Sequence, residues 1–324
     1  MVKAFAIVGP TASGKTSLSL AVAERLGCKI ISCDSMQIYR EMNIGTAKAT
    51  AEEQGRAQHY LIDFLDPRES FSVERYRKMA TDAAKEISAS GAIPLFVGGT
   101  GLYIDSLMRL ENSGAPEASE EYRDKMLKIA ESDGGADILW NRLRDVDPDS
   151  AEKIHKNNTK RVIRALEIYD MTGKTKTWFD SQTKEKNPDI DINMITLDFH
   201  NRDLLYSRVD LRVDQMMEEG LLSEVDALYR AGMLSGGTAS QAIGYKELVD
   251  YIEGRCSLSE AVDNLKLASR RYAKHQLTWF RHERDARVIY ADRPDGGMKG
   301  AEELLCEAIA IAEDFRKEYE LTKG

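Results

Sequence analysis

The sequence has few cysteines and no long apolar run, and both shortages exclude classes of protein. Its four cysteines form no CxxC pair and have no histidine cluster beside them, so neither a disulfide framework nor a structural zinc site is expected. We expect free, buried thiols. No apolar run approaches the ~18 residues of a membrane span, and residues 1–8 are too few for a signal peptide. The sequence therefore predicts a cytoplasmic protein with no membrane partner.

The charge balance is acidic overall but uneven along the chain. A formal net charge of −9 argues against a nucleic-acid partner. Residues 153–176 and 266–287 depart from this average, with seven basic and two acidic residues each. The basic residues are Lys153, Lys156, Lys160, Arg161, Arg164, Lys174, Lys176, Lys266, Arg270, Arg271, Lys274, Arg281, Arg284 and Arg287. Such stretches indicate either a localised anionic partner or solvated helix faces, and charge alone leaves both interpretations open.

Strand and helix patterns alternate in the first third of the chain. Short apolar runs predict strands at 4–8, 29–32, 59–64 and 93–97. Apolar spacing predicts helices at 15–26 and 73–89. This alternation is typical of an α/β fold in which helices flank a parallel sheet.

The pattern changes between residues 113 and 187. A loop signal at 112–116 precedes charged helical patterns with no convincing strand, and a polar segment around Pro188 closes the region. Further elements are then predicted as a strand at 194–199, helices at 202–219, 221–231, 240–253 and 257–281, a strand at 288–291 and a helix at 299–319. The sequence thus predicts a core of residues 1–112 and 188–324, with an all-helical insertion domain at 113–187.

Residues 9–16 match G-x-x-x-x-G-K-[ST] between a predicted strand and a predicted helix. In this context backbone N–H groups surround a phosphate at a helix N-terminus, and the lysine adds positive charge. The Thr16 hydroxyl suits a magnesium ion that also binds phosphate oxygens. The predicted phosphate-binding residues are Gly9, Pro10, Thr11, Ala12, Ser13, Gly14, Lys15 and Thr16. A P-loop does not by itself name a reaction.

Polar residues also follow the second and fourth predicted strands. Ligands bind at the carboxyl ends of parallel strands, so Asp34 can hold magnesium, accept a proton, or serve as a cap. Residues 98–101 contain three glycines that permit close approach of the backbone to a ligand, with Thr100 presenting a hydroxyl. The same glycines are equally compatible with a structural turn.

Three segments together resemble the tRNA dimethylallyltransferase family, also called tRNA isopentenyltransferases. They read GPTASGKT at 9–16, DSMQIYR at 34–40 and VGGTGLY at 97–103. Further matching segments lie at 43–48, 160–167, 241–246 and 276–281. The resemblance spans residues 4 to about 285. It implies a P-loop catalytic core with a helical insertion domain that contacts tRNA, in a monomer.

The resemblance also implies a reaction. A dimethylallyl group moves from its diphosphate to the exocyclic N6 amine of the adenine 3′-adjacent to the anticodon, with magnesium as cofactor. Negative charge grows on the departing diphosphate, so Lys15 and the loop amides are suited to stabilise it. Arg208 and Arg212 lie four residues apart, hence on one helix face, and are implied diphosphate ligands. The alternative is a solvated face where they pair with Asp210 or Asp214.

The adenine amine is a poor nucleophile and needs a group that accepts its proton. The resemblance assigns this role to Asp34, with Thr100 orienting the carboxylate or the amine. The base must be extruded from its stack to reach the site. Ser35, Met36 and Gln37 adjoin Asp34 and are predicted to contact that base or its neighbour. The amide of Gln37 suits an adenine edge.

The matched segments give both basic stretches a predicted role in binding the anticodon stem-loop. The residues implied are Lys160, Arg161, Val162, Ile163, Arg164, Gln241, Gly244, Tyr245, Lys246, Lys274, His275, Gln276 and Arg281, with Arg123 as a weaker candidate. Tyr245 can stack on a base, whereas a core role is favoured for Trp279 and Phe280. The family often has arginine where this chain has His275, which puts one phosphate contact in doubt.

Three other functions compete with this interpretation. A P-loop kinase for a small metabolite explains residues 9–16 but not the basic stretches. A transferase acting on free adenine nucleotides would not need the insertion. An RNA-binding protein with nucleotide-dependent switching would not need Asp34 and Thr100 at adjacent strand ends.

Overall fold

The computed structural model describes residues 1–109, 116, 119–182, 186–283 and 285–321. The chain forms two compact units. The sheet unit comprises Met1–Met108 and Pro188–Gly324, and the helical unit comprises Arg109–Asn187. Most of the predicted loop at 112–116 lies outside the described residues. Within the described part of the chain, no helix has the length and apolarity to cross a bilayer.

The strands are β1 (Val2–Val8), β2 (Cys28–Ser32), β3 (His59–Tyr60), β4 (Ile93–Gly98), β5 (Ile190–Asp198) and β6 (Arg287–Tyr290). The helices are α1 (Lys15–Leu26), α2 (Ala51–Arg56), α3 (Val73–Ala89), α4 (Gly101–Met108), α5 (Glu120–Ala130), α6 (Gly135–Val146), α7 (Pro148–Lys153), α8 (Thr159–Thr172), α9 (Lys176–Gln182), α10 (Arg202–Glu218), α11 (Leu221–Arg230), α12 (Tyr245–Ile252), α13 (Leu258–Arg281) and α14 (Ala301–Leu321).

The six strands form one sheet in the order β3-β2-β4-β1-β5-β6, and every neighbouring pair is parallel. Helices cover both of its faces, as β1 illustrates. Ala4, Ala6 and Val8 pack with α3 and α4, whereas Phe5 and Ile7 pack with α1 and α14. Because successive strand residues point to opposite faces, a strand buried on both faces must be apolar throughout. The predicted parallel sheet flanked by helices is confirmed.

A third apolar cluster joins the segment after β2 to the helices that follow β5. Ile38, Tyr39 and Met42 pack against apolar residues from α10, α11, α12 and α13. This cluster holds residues 34–48 along the carboxyl edge of the sheet, where the predicted site residues lie.

Several predicted boundaries were wrong for local reasons. The strand predicted at 59–64 ends at Tyr60, because Leu61 and Asp63 take positive φ angles that a strand cannot contain. The helix predicted at 240–253 begins only at Tyr245, since Gly244 has a φ of 97°. The sequence also left α2 unpredicted, although the Thr50–Glu53 capping box marks its start.

Two of the four free thiols also differ from expectation. Cys28 and Cys33 are buried, as predicted, whereas Cys256 is half-buried and Cys306 is exposed. Cys306 lies on α14, whose opposite face packs against the sheet through Leu304 and Ala308.

The helical unit contains α5 to α9 in its described residues, together with one isolated bridge between Arg109 and Lys186. Its core consists of Leu139, Leu143, Leu166 and their neighbours. Glu167 is fully buried beside this core and accepts hydrogen bonds from the Ser119 N–H and from the guanidinium groups of Arg123 and Arg164, at 2.7–3.1 Å.

Burial opposes ionisation of Glu167. The hydrogen bonds from Arg123 and Arg164 outweigh that effect and hold its pKa below the usual value. Because the folded-state pKa is lowered, this carboxylate stabilises the fold above its unfolded-state pKa. The stabilisation is lost as the pH falls through the folded-state pKa.

We expect Glu167→Gln to lower the free energy of unfolding of the helical unit by about 2 kcal/mol at pH 7, because two guanidinium groups lose a buried partner. Urea unfolding followed by tryptophan fluorescence measures this, since Trp140 and Trp178 both lie in this unit. The matched control is Asp124→Asn on exposed α5 surface. If the loss of unfolding free energy in Glu167→Gln stayed constant down to pH 3, the ionised carboxylate would not be the stabilising group.

Candidate active site

The backbone of the loop between β1 and α1 turns sharply. Gly9, Ala12 and Gly14 have φ angles of 149°, 60° and 90°. Gly14 is the N-cap of α1 and supplies no side chain to its first-turn N–H groups. Uncapped N–H groups at a helix N-terminus favour an anion, because they carry the positive end of the helix dipole.

Three hydrogen bonds hold this loop in place, one of them local and two from distant helices. The Lys15 ammonium donates to the Pro10 carbonyl at 2.5 Å. The Thr11 N–H donates to Gln276 Oε1 at 2.9 Å, and Arg208 Nε donates to the Ala12 carbonyl at 2.9 Å. The loop is therefore fixed from α10 and α13 as well as from its own lysine.

Two buried polar atoms beside the loop have no hydrogen-bond partner among the described residues. They are Ser13 Oγ and Arg212 Nε. A guanidinium nitrogen can only donate, and a buried donor without an acceptor costs about 1–3 kcal/mol. Both residues line one cavity. A ligand with several anionic oxygens is the partner that this donor set calls for.

The charges around the loop are poorly compensated. Burial lowers the pKa of Lys15 to about 7; the negative charge of Asp34 opposes this change, and the positive charge of Arg212 adds to it. Burial also lowers the pKa of Arg212. Two cations held close together out of water attract an anion strongly.

Asp34 lies after β2, with β4 between it and the P-loop strand β1. Two strand spacings separate those strand ends, roughly 10 Å. Burial raises the pKa of Asp34, although the Met36 N–H and the charges of Lys15 and Arg212 partly offset this. The Met36 N–H donates to Asp34 Oδ1 at 2.9 Å, which fixes one carboxylate oxygen.

Thr100 lies at the end of β4, between the other two loops. Its hydroxyl accepts from the Ser35 N–H at 3.1 Å, and its own N–H donates to the Cys33 carbonyl at 3.1 Å. A side chain at Gly98 would place its Cβ 2.1 Å from the Cys33 carbonyl oxygen, so this approach requires glycine. Thr100 thus holds the backbone on both sides of Asp34.

One cavity of about 1100 Å³ joins these groups. Its lining includes most of the P-loop, the turn after β2, and residues of α10 and α13: Thr11, Ala12, Ser13, Gly14, Lys15, Thr16, Asp34, Ser35, Met36, Gln37, Arg208, Arg212, Gln241, Gly244, Tyr272 and Gln276. The predicted diphosphate ligands and the predicted base therefore face a single space.

Acidic partners of Arg208 and Arg212 were the alternative interpretation of α10. Instead, Asp210 pairs with Arg270 at 2.6 Å and Asp214 pairs with Lys266 at 2.6 Å, both from α13. The two acids face α13, while the two arginines line the cavity. This alternative pairing is therefore wrong.

The side chains of two predicted base contacts are already engaged. Gln37 accepts from Ser32 at 3.2 Å and donates to the Thr46 and Ala47 carbonyls at 3.2 and 3.1 Å. Tyr245 is fully buried and donates to Glu224 at 2.6 Å, so its ring is not available for stacking in this structure. Glu224 also accepts from the N–H groups of residues 43–45, which line the cavity.

The other residues predicted to contact tRNA fall into three groups by exposure. Lys160, Arg161, Gln241, Lys246, Lys274, His275 and Arg281 are exposed, Arg123 and Arg164 are half-buried, and Val162, Ile163, Gly244 and Gln276 are buried. Arg281 pairs with buried Asp198 at 2.7 Å. Arg284 lies outside the described residues. On α8, contact with RNA would therefore have to come from the basic side chains, because those of Val162 and Ile163 lie in the core.

Sequence reasoning did not single out Tyr272. Its hydroxyl lies beside Thr100 and Gln276, and burial together with the charge of Asp34 raises its pKa. Tyr272 lies in the second basic stretch, three residues before His275. This position in the sequence did not indicate that its side chain faces a cavity.

The sheet, the loop and the cavity together define an α/β protein with a site suited to a polyphosphate anion. The chain belongs to the IPP transferase family, whose family model matches residues 37–283. It is 47% identical over 276 residues to a tRNA dimethylallyltransferase of Caldanaerobacter subterraneus subsp. tengcongensis, covering 85% of this chain and 87% of that protein. It is 48% identical over 296 residues to one from Bacillus cereus, covering 91% of each.

Solved structures are similar over nearly the whole chain. The full-length tRNA isopentenylpyrophosphate transferase of Bacillus halodurans has a TM-score of 0.71 and 41% identity, with 100% of both chains covered. A eukaryotic dimethylallyltransferase acting on tRNA has a TM-score of 0.80 and 30% identity, covering 98% of this chain and 80% of the other.

We expect binding of inorganic diphosphate to take up a proton above pH 7, because the Lys15 ammonium of the free protein is lost as the pH rises through about 7. Affinity should fall by up to about tenfold per pH unit above that value. Calorimetry in buffers of different ionisation enthalpy measures the proton uptake.

Lys15→Arg is the control, because arginine keeps its charge throughout this range. Subtracting the proton uptake measured with Lys15→Arg from that of the wild type also cancels the contribution of diphosphate's own protonation. Equal proton uptake by both proteins would show that Lys15 does not titrate near neutral pH.

Proposed function

We propose that this chain transfers a dimethylallyl group from dimethylallyl diphosphate to the N6 amine of the adenine 3′-adjacent to the anticodon in tRNA, releasing diphosphate. One observation carries the proposal: a single cavity holds two desolvated cations on one side and a carboxylate of raised pKa on the other. Membership of the IPP transferase family supplies the class of substrate.

The cationic side is suited to the leaving group. As the allylic C–O bond breaks, negative charge accumulates on the diphosphate oxygens. Lys15, Arg212 and Ser13 line the cavity at the start of α1, and Ser13 Oγ and Arg212 Nε are shielded from solvent. Such preorganised donors stabilise developing charge without reorganising, and one of them is typically worth about 3 kcal/mol of barrier.

The acidic side is suited to the acceptor. The N6 amine loses a proton as its nitrogen bonds to carbon, and the raised pKa of Asp34 improves that carboxylate as a base near neutral pH. Thr100 holds the turn through Ser35, so the carboxylate stays in position as the proton moves. The roughly 10 Å between the two strand ends leaves room for the reacting carbon and a purine edge.

An oxygen ligand suited to magnesium lies beside the P-loop cations. The half-buried Thr16 hydroxyl lines the cavity, and oxygen is the ligand that magnesium prefers. No cluster of three acidic, histidine or cysteine ligands exists among the described residues, so diphosphate oxygens and water would complete the coordination. When bound, the ion would neutralise charge on the leaving diphosphate.

Exposed basic side chains supply the proposed tRNA contacts. Lys160 and Arg161 stand at the start of α8, and no ion pair involves them within the described ranges. Lys274 and His275 are exposed on α13. We infer that the helical unit and α13 contact RNA phosphates, that the enzyme acts as a monomer, and that it acts in the cytoplasm.

The proposed base can be tested with Asp34→Asn, which keeps the shape of the side chain but not its basicity. We expect transfer to fall by about 10²–10⁴-fold, with tRNA affinity changed less than threefold. The measurement is incorporation of labelled dimethylallyl groups from dimethylallyl diphosphate into tRNA with magnesium. The matched control is Asp226→Asn on α11, where Asp226 forms an ion pair with Arg230.

The same assay separates the competing functions when it is repeated with AMP as the acceptor or with ATP as the donor. Labelled AMP as product would indicate a transferase for free nucleotides, and labelled phosphate transfer from ATP would indicate a kinase. Binding of tRNA without turnover would indicate an RNA-binding switch. Full activity of Asp34→Asn would remove Asp34 from the chemistry.

The proposed RNA contacts predict a change in salt dependence. Replacing Lys160 and Arg161 by alanine should reduce the slope of log Kd for tRNA against log salt concentration by about 1.5, since each phosphate contact contributes roughly 0.7–0.9. Arg25→Ala with Lys78→Ala removes the same charge from exposed surface of the sheet unit and is the control. Equal slopes for both double variants would place Lys160 and Arg161 outside the interface.

A further inference from the structure

Gln276 joins two loops of the active site through one buried amide. The side chain projects from α13 and is 6% exposed. Its Oε1 accepts from the Thr11 N–H at 2.9 Å, and its Nε2 donates to the Gly99 carbonyl at 2.9 Å. Thr11 belongs to the P-loop after β1, and Gly99 belongs to the turn after β4, which pairs directly with β1.

The fit around this amide is tight. A Cβ on residue 99 would lie 2.1 Å from Gln276 Nε2 and 3.3 Å from the Gly9 carbonyl oxygen. The amide therefore occupies the space between the two loops, and the glycine makes room for it.

The chemistry of the two bonds selects the residue type. One loop presents a donor and the other an acceptor, so the bridging group needs both an oxygen and an N–H. Glutamate would lack the donor, methionine would lack both strong bonds, and asparagine is one methylene shorter. Glutamine meets the requirement at this distance.

The bridge continues to the proposed base. Gly99 precedes Thr100, whose hydroxyl accepts from the Ser35 N–H beside Asp34. A continuous series of short contacts thus connects the diphosphate loop to the carboxylate. A displacement of about 1 Å between reacting groups can reduce the rate roughly 10²-fold.

We propose that Gln276 is a positioning residue that fixes the diphosphate loop relative to the Thr100–Asp34 turn. This inference rests on the proposed function. It replaces the predicted contact of the Gln276 side chain with tRNA, because the amide is buried and both its ends are bonded within the protein.

The first test compares Gln276→Met with the wild type in the dimethylallyl transfer assay. We expect kcat to fall 30–100-fold, while KM for tRNA changes less than twofold. Thr278→Ala is the control, since that exposed hydroxyl bonds only to the Lys274 carbonyl of its own helix. A tenfold rise in KM for tRNA with unchanged kcat would overturn the proposal in favour of an RNA contact.

A second measurement separates positioning from a purely structural role. In a double-mutant cycle with Thr100→Val, Gln276→Met should cost at most threefold, because the turn it positions is already impaired. Fully multiplicative losses would overturn the proposal. So would a lower melting temperature with unchanged kcat at a temperature where the variant is folded.

Gln276→Glu gives an independent reading that does not depend on the methionine variant. It keeps the acceptor for Thr11 but loses the donor for Gly99, so its kcat should also fall at least tenfold. An unchanged kcat would overturn the proposal. Wild-type protein that transfers no dimethylallyl group to tRNA would instead refute the proposed function, which distinguishes the two failures.

Discussion

Positive charge held out of water at the carboxyl end of β1 is the condition on which the site depends. Lys15 and Arg212 are half-buried by the fold, and the loss of hydration lowers the pKa of each. Asp34 compensates them only in part, since its own pKa is raised by burial. The site is therefore electrostatically incomplete without an anion. An anion bound to the two cations would weaken their pull on the Asp34 carboxylate, so donor binding is expected to strengthen the base.

The order of the strands converts this charge arrangement into a reaction geometry. Because β4 lies between β1 and β2, the Thr100 turn stands between the P-loop and Asp34. Glycines let these turns approach closely, as at Gly98 against the Cys33 carbonyl. The result is a cavity in which the P-loop and Asp34 follow two strands of one sheet that are separated by β4 alone. Catalytic groups on strand ends keep their separation better than groups on free loops.

One buried and one half-buried carboxylate organise much of the remaining polar structure. Glu167 holds Arg123 and Arg164 in the helical unit, and Glu224 collects three backbone N–H groups and the Tyr245 hydroxyl in the sheet unit. A net charge of −9 is compatible with exposed basic residues such as Lys160 and Lys274, so the overall charge alone does not exclude a nucleic-acid partner.

The parallel sheet, the loop at 9–16 and the positions of Asp34 and Thr100 at strand ends could be predicted from the sequence, because they follow from local patterns: apolar runs, glycines and a GKT motif. The sequence did not reveal that Gln276 binds the P-loop across 265 positions, that Asp210 and Asp214 pair with α13 rather than with their own helix, or that Gln37 and Tyr245 are engaged within the protein. These contacts depend on tertiary packing, because helical spacing specifies which residues share a face but not which distant partner packs against it.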